Sequence, residues 1–327
     1  MKSGKQQVFV VEAAQRGIRL ADFLASSLPG HRALALRELV ARGHVSVNGE
    51  EQLANARLRV GDVVIVADVA PAGRPRAVGG DRAAALPVLV ETATALVIAK
   101  PAGVPTVPTR DGADAGVHGR LHDLRPDDDL RIVHRLDRDT SGCLLLAKGL
   151  QAAQHFDAAF QEGAMRKTYV ALVHGVPAAP EFEVDLWLGP DPRRPGKVVA
   201  SATEQRGFRS AHTEVRVRRA YAGHALLELR PTTGRGHQLR VHLASSGHPI
   251  VGDLGYGGQP LLLSEIKTDY KLRPGVAERA LVGRMFLHAE RLQFVDVDGA
   301  AVVAEAPLPP ELDTALRKLD RFDATRR

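Results

Sequence analysis

The stretch Ile132–Lys148, IVHRLDRDTSGCLLLAK, places a charged loop between two apolar runs. Ile132 and Val133 end the first run, and Cys143–Ala147 has the length of a buried strand. Between them, His134–Gly142 is polar and ends on turn-forming residues. Because a polar loop on a rigid scaffold is a common way to build a site, we take this loop as the candidate site.

Asp137 lies between Arg135 and Arg138 in this loop. A carboxylate beside two guanidinium groups stays ionised and is held in a fixed orientation. From spacing alone, an ion pair that braces a turn is favoured over a catalytic carboxylate.

The composition is that of a folded protein with room for one large and one small domain. The chain has 327 residues, of which 44% are hydrophobic and 25% charged. No apolar run approaches the roughly 20 residues needed to span a bilayer, so we expect no membrane association. The single cysteine, Cys143, excludes an intrachain disulfide framework and predicts a cytoplasmic location. We expect its thiol to be buried and structural.

The net charge of +6 favours a polyanionic partner such as nucleic acid, although charge alone does not exclude a merely soluble basic protein. The sequence contains no phosphate-binding loop, no dinucleotide-binding glycine pattern and no cysteine pair for zinc. His237, His242 and His248 fit no standard zinc spacing, so no metal is expected.

The first 68 residues predict a small α+β domain. Residues 8–15 are predicted as a strand, and apolar residues at helical spacing indicate two helices after it. Arg32, Arg37 and Arg42 give the second helix and its end a positive charge. Asn48-Gly49 predicts a hairpin, and Gly61-Asp62 predicts a turn into a further strand.

Residues 69–84, VAPAGRPRAVGGDRAA, are rich in Pro, Gly and Arg and show no periodicity, which predicts a flexible basic linker. Residues 85–327 are predicted as one large domain. Its predicted elements, in chain order, are strands at LPVLVE and ALVIAK, a loop at 109–130, a helix at QAAQHFDAAFQEG, a strand at MRKTYVALVHG, two or three strands at 184–220, a strand at ALLELRP, a loop with a helix at 260–284, a late strand at LHA, a final helix from Pro310, and a frayed, solvated tail at 320–327.

HRLDRDTSG, residues 134–142, closely resembles the signature of the RluA-type pseudouridine synthase family. Three further stretches match family motifs in the family's order: KPAG at 100–103, Lys167 to Gly175, and TGRGHQLRVH at 233–242 followed by GHPIVGD. The N-terminal domain is similar to the S-four-type RNA-binding domain. Departures from the family patterns are His31-Arg32 for Ser-Arg, Val107-Pro108 for His-Pro, Gly236 for a hydroxyl residue, and Leu254-Gly255-Tyr256-Gly257 for Pro-Leu-Tyr-Gly.

The resemblance implies an α+β protein in which the small domain, 1–68, precedes a catalytic domain. That domain is expected to be a mixed, mostly antiparallel sheet with flanking helices and a cleft across it. The implied reaction is the isomerisation of uridine to pseudouridine in RNA, with ribosomal RNA of the large subunit favoured over transfer RNA. No cofactor is expected, because the reaction involves no redox change and no group donor. We expect a monomer.

The resemblance also assigns roles to residues. Asp137 would start the chemistry, by attack on the anomeric carbon or by removal of the ribose 2′ proton, and both remain open. Arg240 would keep it ionised. Tyr169 would stack on the flipped base and could help remove the carbon-5 proton. Arg135 would fill the vacated stack. Further RNA contacts are expected from His134, Arg138, Arg235, His237, Gln238, Arg32, Arg37 and Arg42.

Two alternatives come from other functional classes. A catalytically silent RNA-binding ribosome-assembly factor with the same fold would be free to lose Asp137, Tyr169 or Arg240, yet all three are present. A glycosidase needs two carboxylates about 5–10 Å apart, and Asp139, the candidate nearest in sequence, sits in a turn.

Overall fold

The computed structural model describes residues 7–28, 39–40, 45–48, 50–52, 56–66, 86–108, 114–194, 196–267, 269–271 and 278–323. The chain divides into two compact units. The small unit comprises Met1–Ala84 and Pro108–Gly116, and the large unit comprises Ala85–Val107 and Val117–Arg327. The predicted linker, most of the second predicted helix, and Arg32, Arg37 and Arg42 lie outside the described residues. The predicted domain boundaries stay predictions.

The small unit contains a four-stranded antiparallel sheet and one described helix. The elements are β1 (Gln7–Val10), α1 (Leu20–Ser27), β2 (Val45–Val47), β3 (Glu50–Glu51) and β4 (Val63–Val66), with strand order β1-β4-β2-β3. The first predicted helix is confirmed, since α1 buries Leu20, Phe23 and Leu24. The predicted strand at 8–15 is wrong beyond Val10. There the Glu12 backbone N–H donates to the Gln15 side chain, and Ala13–Gln15 form a one-turn 3-10 helix.

The large unit is built on a mixed, mostly antiparallel sheet, as expected. Its described strands are β5 (Val88–Glu91), β6 (Ala95–Lys100), β7 (Leu130–Ile132), β8 (Ser141–Lys148), β9 (Arg166–His174), β10 (Glu181–Pro190), β11 (Val198–Ser201), β12 (Arg209–Ala220), β13 (His224–Pro231), β14 (Leu287–Val295) and β15 (Ala301–Glu305). Their order is β11-β10-β12-β13-β9-β14-β8-β6-β5, with β15 paired to β14 and β7 paired to β8.

The described helices of the large unit flank this sheet. They are α2 (Gly116–Leu124), α3 (Leu150–Gln161), α4 (Gln238–Ser245), the single turn α5 (Leu263–Ile266) and α6 (Pro310–Phe322). α3 buries Phe156, and α6 buries Leu312, Ala315 and Leu319, because apolar residues recur on one face of each helix. None of the described helices combines the length and apolar character needed to cross a bilayer.

A row of paired residues crosses the middle of the sheet and brings the candidate site together. Gly142 of β8 pairs in parallel with Ala289 of β14, which pairs with Tyr169 of β9. Tyr169 in turn pairs with Leu229 of β13. The charged loop therefore ends two strands away from Tyr169 in the same row.

The prediction of a loop throughout 109–130 is wrong, because α2 begins at Gly116. Val117 and Leu121, four residues apart, are buried in the cluster that contains Leu96 and Leu144. Two glycines and two histidines within α2 weaken the helical signal, so tertiary burial decides the conformation. Residues 109–113 lie outside the described part of the chain.

The predicted frayed tail is also wrong as far as residue 323. α6 continues to Phe322, and Asp320 pairs with Arg219 and accepts a 2.9 Å hydrogen bond from the Tyr221 hydroxyl. Asp323 is buried, and its carbonyl accepts the Ala222 backbone N–H at 3.0 Å. Charged residues that appear solvated in sequence thus dock the helix onto the turn between β12 and β13.

Gly142 is required where β8 meets β14. Its φ is +119°, and a Cβ there would overlap the carbonyl oxygen of Ala289. We expect Gly142→Ala to lower the free energy of unfolding by about 3 kcal/mol, because it adds backbone strain to a steric overlap. Gly103→Ala is the control: its φ is +81°, but no atom lies within 4 Å of the added Cβ. The control should lose about 1 kcal/mol in urea unfolding, and equal losses would contradict the steric argument.

Candidate active site

The charged loop lines a cavity of about 840 Å³ in the large unit. Its walls come from Pro105–Val107, from residues 132–138, from residues 231–239 and from Tyr169. These segments meet because β7, β8, β9 and β13 end or begin at this part of the sheet. The cavity is large enough to hold a nucleotide-sized ligand.

Asp137 forms an ion pair with Arg240 inside the large unit. Arg240 Nη1 donates to Asp137 Oδ2 at 3.0 Å. The Asp137 side chain is 28% exposed, so one carboxylate oxygen is held while the group stays accessible to a ligand. The sequence placed Arg240 beside Asp137 through the family resemblance, and the structure brings the two together.

Asp253 holds the other side of Arg240. Arg240 Nε and Nη2 donate to the two Asp253 oxygens at 2.7 and 2.8 Å, a bidentate pair. The Asp253 side chain is 2% exposed. Burial lowers the pKa of Arg240, but hydrogen bonds and charge from Asp253, followed by Asp137, raise it overall. The guanidinium therefore stays charged beside Asp137.

The backbone immediately before Asp137 is clasped by Thr106. The buried Thr106 hydroxyl donates to the Leu136 carbonyl at 2.9 Å and accepts the Leu136 N–H at 3.1 Å. The Asp137 carbonyl accepts the Thr140 N–H at 3.1 Å, which closes the turn. These bonds fix the direction in which the Asp137 side chain leaves the loop.

Lys100 supports the same loop from the interior of the protein. Its side chain is fully buried, and Nζ donates to the carbonyls of Pro101, Val104 and Arg138 at 2.7–3.1 Å. Burial lowers the pKa of Lys100 to about 7, although Asp139 and Asp137 oppose the shift. The KPAG stretch is therefore more than a turn, since its lysine ties residue 138 to residues 101–104.

The two arginines beside Asp137 do not brace it among the described residues. Arg138 Nε donates to the Gly103 carbonyl at 3.0 Å instead. Arg135 is exposed and has no hydrogen bond or ion pair with any described residue. The expectation of a local ion pair is thus wrong, and the partner comes from 103 residues further along the chain.

Tyr169 projects from β9 into the cavity and is half-buried. Its ring packs against the cluster that contains Leu136 and Ala289. Burial, and then the charge of Asp137, raises the pKa of its hydroxyl. Tyr169 is therefore a neutral phenol whose aromatic face is available to a planar ligand.

His134 is anchored within the protein. Its Nε2 accepts the Leu145 N–H at 2.9 Å, and its ring lies 4.6 Å from the ring of Phe160. Burial, and then the charge of Lys167, lowers the pKa of His134 to about 3, so it is neutral at physiological pH. It still lines the cavity, and its role as an RNA contact stays a prediction.

Gln238 makes more hydrogen bonds than any other expected contact that the structure describes. Its amide nitrogen donates to the His212 carbonyl and the Thr213 hydroxyl, and its oxygen accepts from the Thr233 hydroxyl and the Arg235 N–H, all within 3.0 Å. Any contact to RNA would have to replace one of these bonds.

The remaining expected contacts of this motif lie beside Gln238. Arg235 Nε donates to the Ser210 carbonyl at 3.0 Å. A Cβ at Gly236 would meet its nearest atom, on Val198, at 3.9 Å, so this departure from the family motif leaves space for a side chain. The RNA roles of Gln238, Arg235 and His237 stay predictions.

The three histidines considered for zinc have separate surroundings. His237 bonds to Tyr256, His248 bonds to the His174 carbonyl, and the ring nitrogens of the buried His242 have no partner among the described residues. Among those residues, Glu183, Asp185 and His212 bring one ligand atom each within 4.8 Å of one another. His212 Nδ1 lies 2.7 Å from Asp185 Oδ1, an ordinary surface pair.

Sequence reasoning missed Thr106, Asp253 and Tyr256 as parts of the site. Asp253 ends the quoted stretch GHPIVGD, and a carboxylate placed after an apolar run was the available signal. Thr106 and Tyr256 act through contacts with residues 30 and 19 positions away, and local spacing gives no sign of these contacts. Cys143, in contrast, is buried as expected, and burial raises the pKa of its thiol to about 12.

Comparison with known families identifies the two domains of the chain. The RNA pseudouridylate synthase family matches residues 94–245, and the S4 domain matches residues 18–64. Ribosomal large subunit pseudouridine synthase C of Escherichia coli (strain K12) is 32% identical over 322 residues, which cover 96% of each chain.

Two further relatives extend the comparison. The enzyme of the same name from Haemophilus ducreyi is 32% identical over 324 residues, which cover 97% of each chain. The solved structure of the human protein RNA Pseudouridylate Synthase Domain Containing 4 is similar with a TM-score of 0.55 and 25% identity. That match covers 72% of this chain and 93% of the human one.

The two hydrogen bonds between Thr106 and Leu136 can be tested by substitution of Thr106. Thr106→Val keeps the shape but leaves the Leu136 N–H and carbonyl without partners, so we expect a loss of about 3 kcal/mol in unfolding free energy. The Leu136 amide should also exchange its hydrogen faster. Thr106→Ser retains the hydroxyl and should keep that protection. Unchanged Leu136 exchange in the valine variant would contradict the assignment.

Proposed function

Because the chain belongs to the RluA-type family of RNA pseudouridine synthases, which isomerise uridine to pseudouridine in RNA, we propose that its substrate is ribosomal RNA of the large subunit. The two bacterial relatives that match it over 96–97% of its length carry the name ribosomal large subunit pseudouridine synthase C. The chain also contains an S4 domain, and its net charge of +6 suits a polyanionic substrate. Transfer RNA remains the less favoured substrate.

The ion pair between Asp137 and Arg240 is the observation that carries the proposed chemistry. Isomerisation breaks the bond between uracil N1 and ribose C1′ and forms a bond between C5 and C1′. The C5 proton is lost and N1 gains a proton, so the reaction is balanced without a cofactor. A carboxylate that is oriented, paired and still accessible suits the first step.

We assign the first step to Asp137 and its orientation to Arg240. Asp137 would attack C1′, or remove the 2′ proton to give a glycal, and both routes remain open. Arg240 orients the carboxylate in either route, because its Nη1 donates to Asp137 Oδ2 at 3.0 Å. Asp253 occupies the other guanidinium nitrogens, which keeps Arg240 aimed at Asp137.

Tyr169 is proposed as the surface on which the flipped uracil stacks. Its raised pKa argues against a phenolate that would remove the C5 proton. Arg135, exposed and without a partner among the described residues, is proposed to replace the flipped base in the RNA stack. Arg138 and Arg235 are proposed phosphate contacts, because both lie at the cavity wall.

The small unit is proposed to add RNA contacts through Arg32, Arg37 and Arg42. This proposal rests on the match of residues 18–64 to the S4 domain and on the charge of the segment. The cytoplasmic location and the monomeric state stay predictions.

Asp137→Asn tests the assignment of the carboxylate. It keeps the size and removes the charge, so pseudouridine formation should fall to background, by roughly 10,000-fold or more, while RNA binding persists. Asp139→Asn is the matched control from the same loop and should stay active. The measurement is pseudouridine mapping of large-subunit ribosomal RNA from a host that lacks this protein and is supplied with each form. Modification restored by Asp137→Asn would reject the catalytic role of Asp137. Absence of modification by the unaltered protein would reject large-subunit ribosomal RNA as the substrate.

Tyr169 variants separate stacking from proton transfer. Tyr169→Phe keeps the aromatic face, so its single-turnover rate should stay within about 3-fold of the unaltered enzyme. Tyr169→Leu loses base stacking worth about 1–3 kcal/mol, which predicts a fall of roughly 5- to 150-fold. A leucine variant as fast as the phenylalanine variant would return Tyr169 to a packing role. A detached base in Tyr169→Phe, or a base rejoined through C5 that retains its C5 proton, would show that the hydroxyl moves a proton.

A further inference from the structure

His237 stands at the start of α4 with its ring in the cavity wall. Its φ is +54°, a left-handed conformation, and it lines the same cavity as Asp137 and Tyr169. Its Nδ1 lies 2.7 Å from the hydroxyl oxygen of Tyr256. No described residue hydrogen-bonds to its other nitrogen, Nε2.

Tyr256 is held from three sides. Its oxygen accepts the Val198 N–H at 3.0 Å. Arg240 Cζ and Lys197 Nζ each lie 4.8 Å from the centre of its ring. Burial raises the pKa of Tyr256, so its hydroxyl keeps its proton. Among the described residues, His237 Nδ1 is the acceptor placed to receive that proton.

His237 carries a single ring proton at neutral pH. Burial lowers its pKa, and although Asp137 opposes this shift, Arg240 and Lys197 add to it. When Nδ1 accepts from the Tyr256 hydroxyl, the imidazole hydrogen must sit on Nε2. The network therefore sets one tautomer and provides a neutral N–H donor at the cavity wall.

We propose that His237 Nε2–H donates to a carbonyl oxygen of the flipped uracil, with Tyr256 as the positioning residue that fixes this tautomer. The inference rests on the proposed function, since it concerns the base held between Tyr169 and Asp137. Uracil offers two carbonyl oxygens as acceptors, O2 and O4. The phosphates of RNA are better matched by the cationic Arg135, Arg138 and Arg235. Donation to O4 would also disfavour cytidine, which has an amino group at that position.

The tautomer is measured directly by nitrogen NMR of histidine-labelled protein, with the His237 signals identified by their loss in His237→Asn. We expect a protonated Nε2 and an unprotonated Nδ1. Tyr256→Phe retains the ring beneath Arg240 and Lys197 but should lose this single tautomer. Tyr221→Phe is the matched control, because it removes a hydroxyl bonded to Asp320 that does not line the cavity. A neutral His237 ring with its proton on Nδ1 in the unaltered protein would overturn the proposal, whatever the RNA substrate.

The contact to uracil is tested by single-turnover reactions on an RNA oligonucleotide that carries the uridine found by the mapping of large-subunit ribosomal RNA, with sulfur at position 2 or position 4 of that uridine. Because sulfur is a weak acceptor, one of the two substitutions should slow the unaltered enzyme about 3- to 10-fold. That sensitivity should vanish in His237→Asn, whose amide reaches the Nδ1 position and provides no group at Nε2. It should return in part in His237→Gln, whose amide reaches the Nε2 position.

The outcomes separate the two proposals. Equal sulfur effects in His237→Asn and the unaltered enzyme would overturn the contact. So would the absence of an effect at both positions. A Tyr256→Phe enzyme that retains both the single tautomer and the full sulfur effect would remove Tyr256 from its positioning role. Absence of pseudouridine in the mapped ribosomal RNA would instead reject the proposed substrate, and the NMR result would stand independently.

Discussion

Arg240 lies between two carboxylates, and the candidate site depends on that arrangement. Its fork is fixed on Asp253, which is almost fully buried, and the remaining nitrogen reaches Asp137 at 3.0 Å. Removing Asp253 would leave a half-buried guanidinium with one partner, a costly state. Arg240 therefore anchors the Asp137 side chain to a buried carboxylate, in addition to the Thr106 bonds that hold the backbone of the loop.

The loop and the proposed catalytic carboxylate could be predicted because their signal is contiguous. Residues 134–142 form an uninterrupted polar string between apolar runs, and β8 occupies the second run as expected. The sheet type also followed from the family resemblance. The partner of Asp137 could not come from spacing, since Arg240 is 103 residues away and two arginines stand beside the aspartate.

Three of the roles that sequence reasoning missed share one physical cause, which is tertiary contact overriding local composition. α2 forms despite two glycines because Val117 and Leu121 reach a buried cluster. Asp320 and Asp323 are ordered because partners from the β12–β13 turn meet them. Thr106 has the local character of a loop residue, yet its hydroxyl determines the backbone before Asp137. Such roles become visible once the strands are paired.

The place of β14 in the sheet affects the order in which the enzyme can fold during synthesis. This strand, Leu287–Val295, lies between β8 and β9, which precede it by more than a hundred residues in the chain. A chain emerging from the ribosome has already released Asp137, Tyr169 and Arg240 before β14 is made. Until β14 inserts, the two halves of the sheet have no common row of hydrogen bonds, and contacts so distant in sequence form slowly. The row of paired residues that joins the charged loop to Tyr169 therefore needs β14, which is synthesised after all three of these residues.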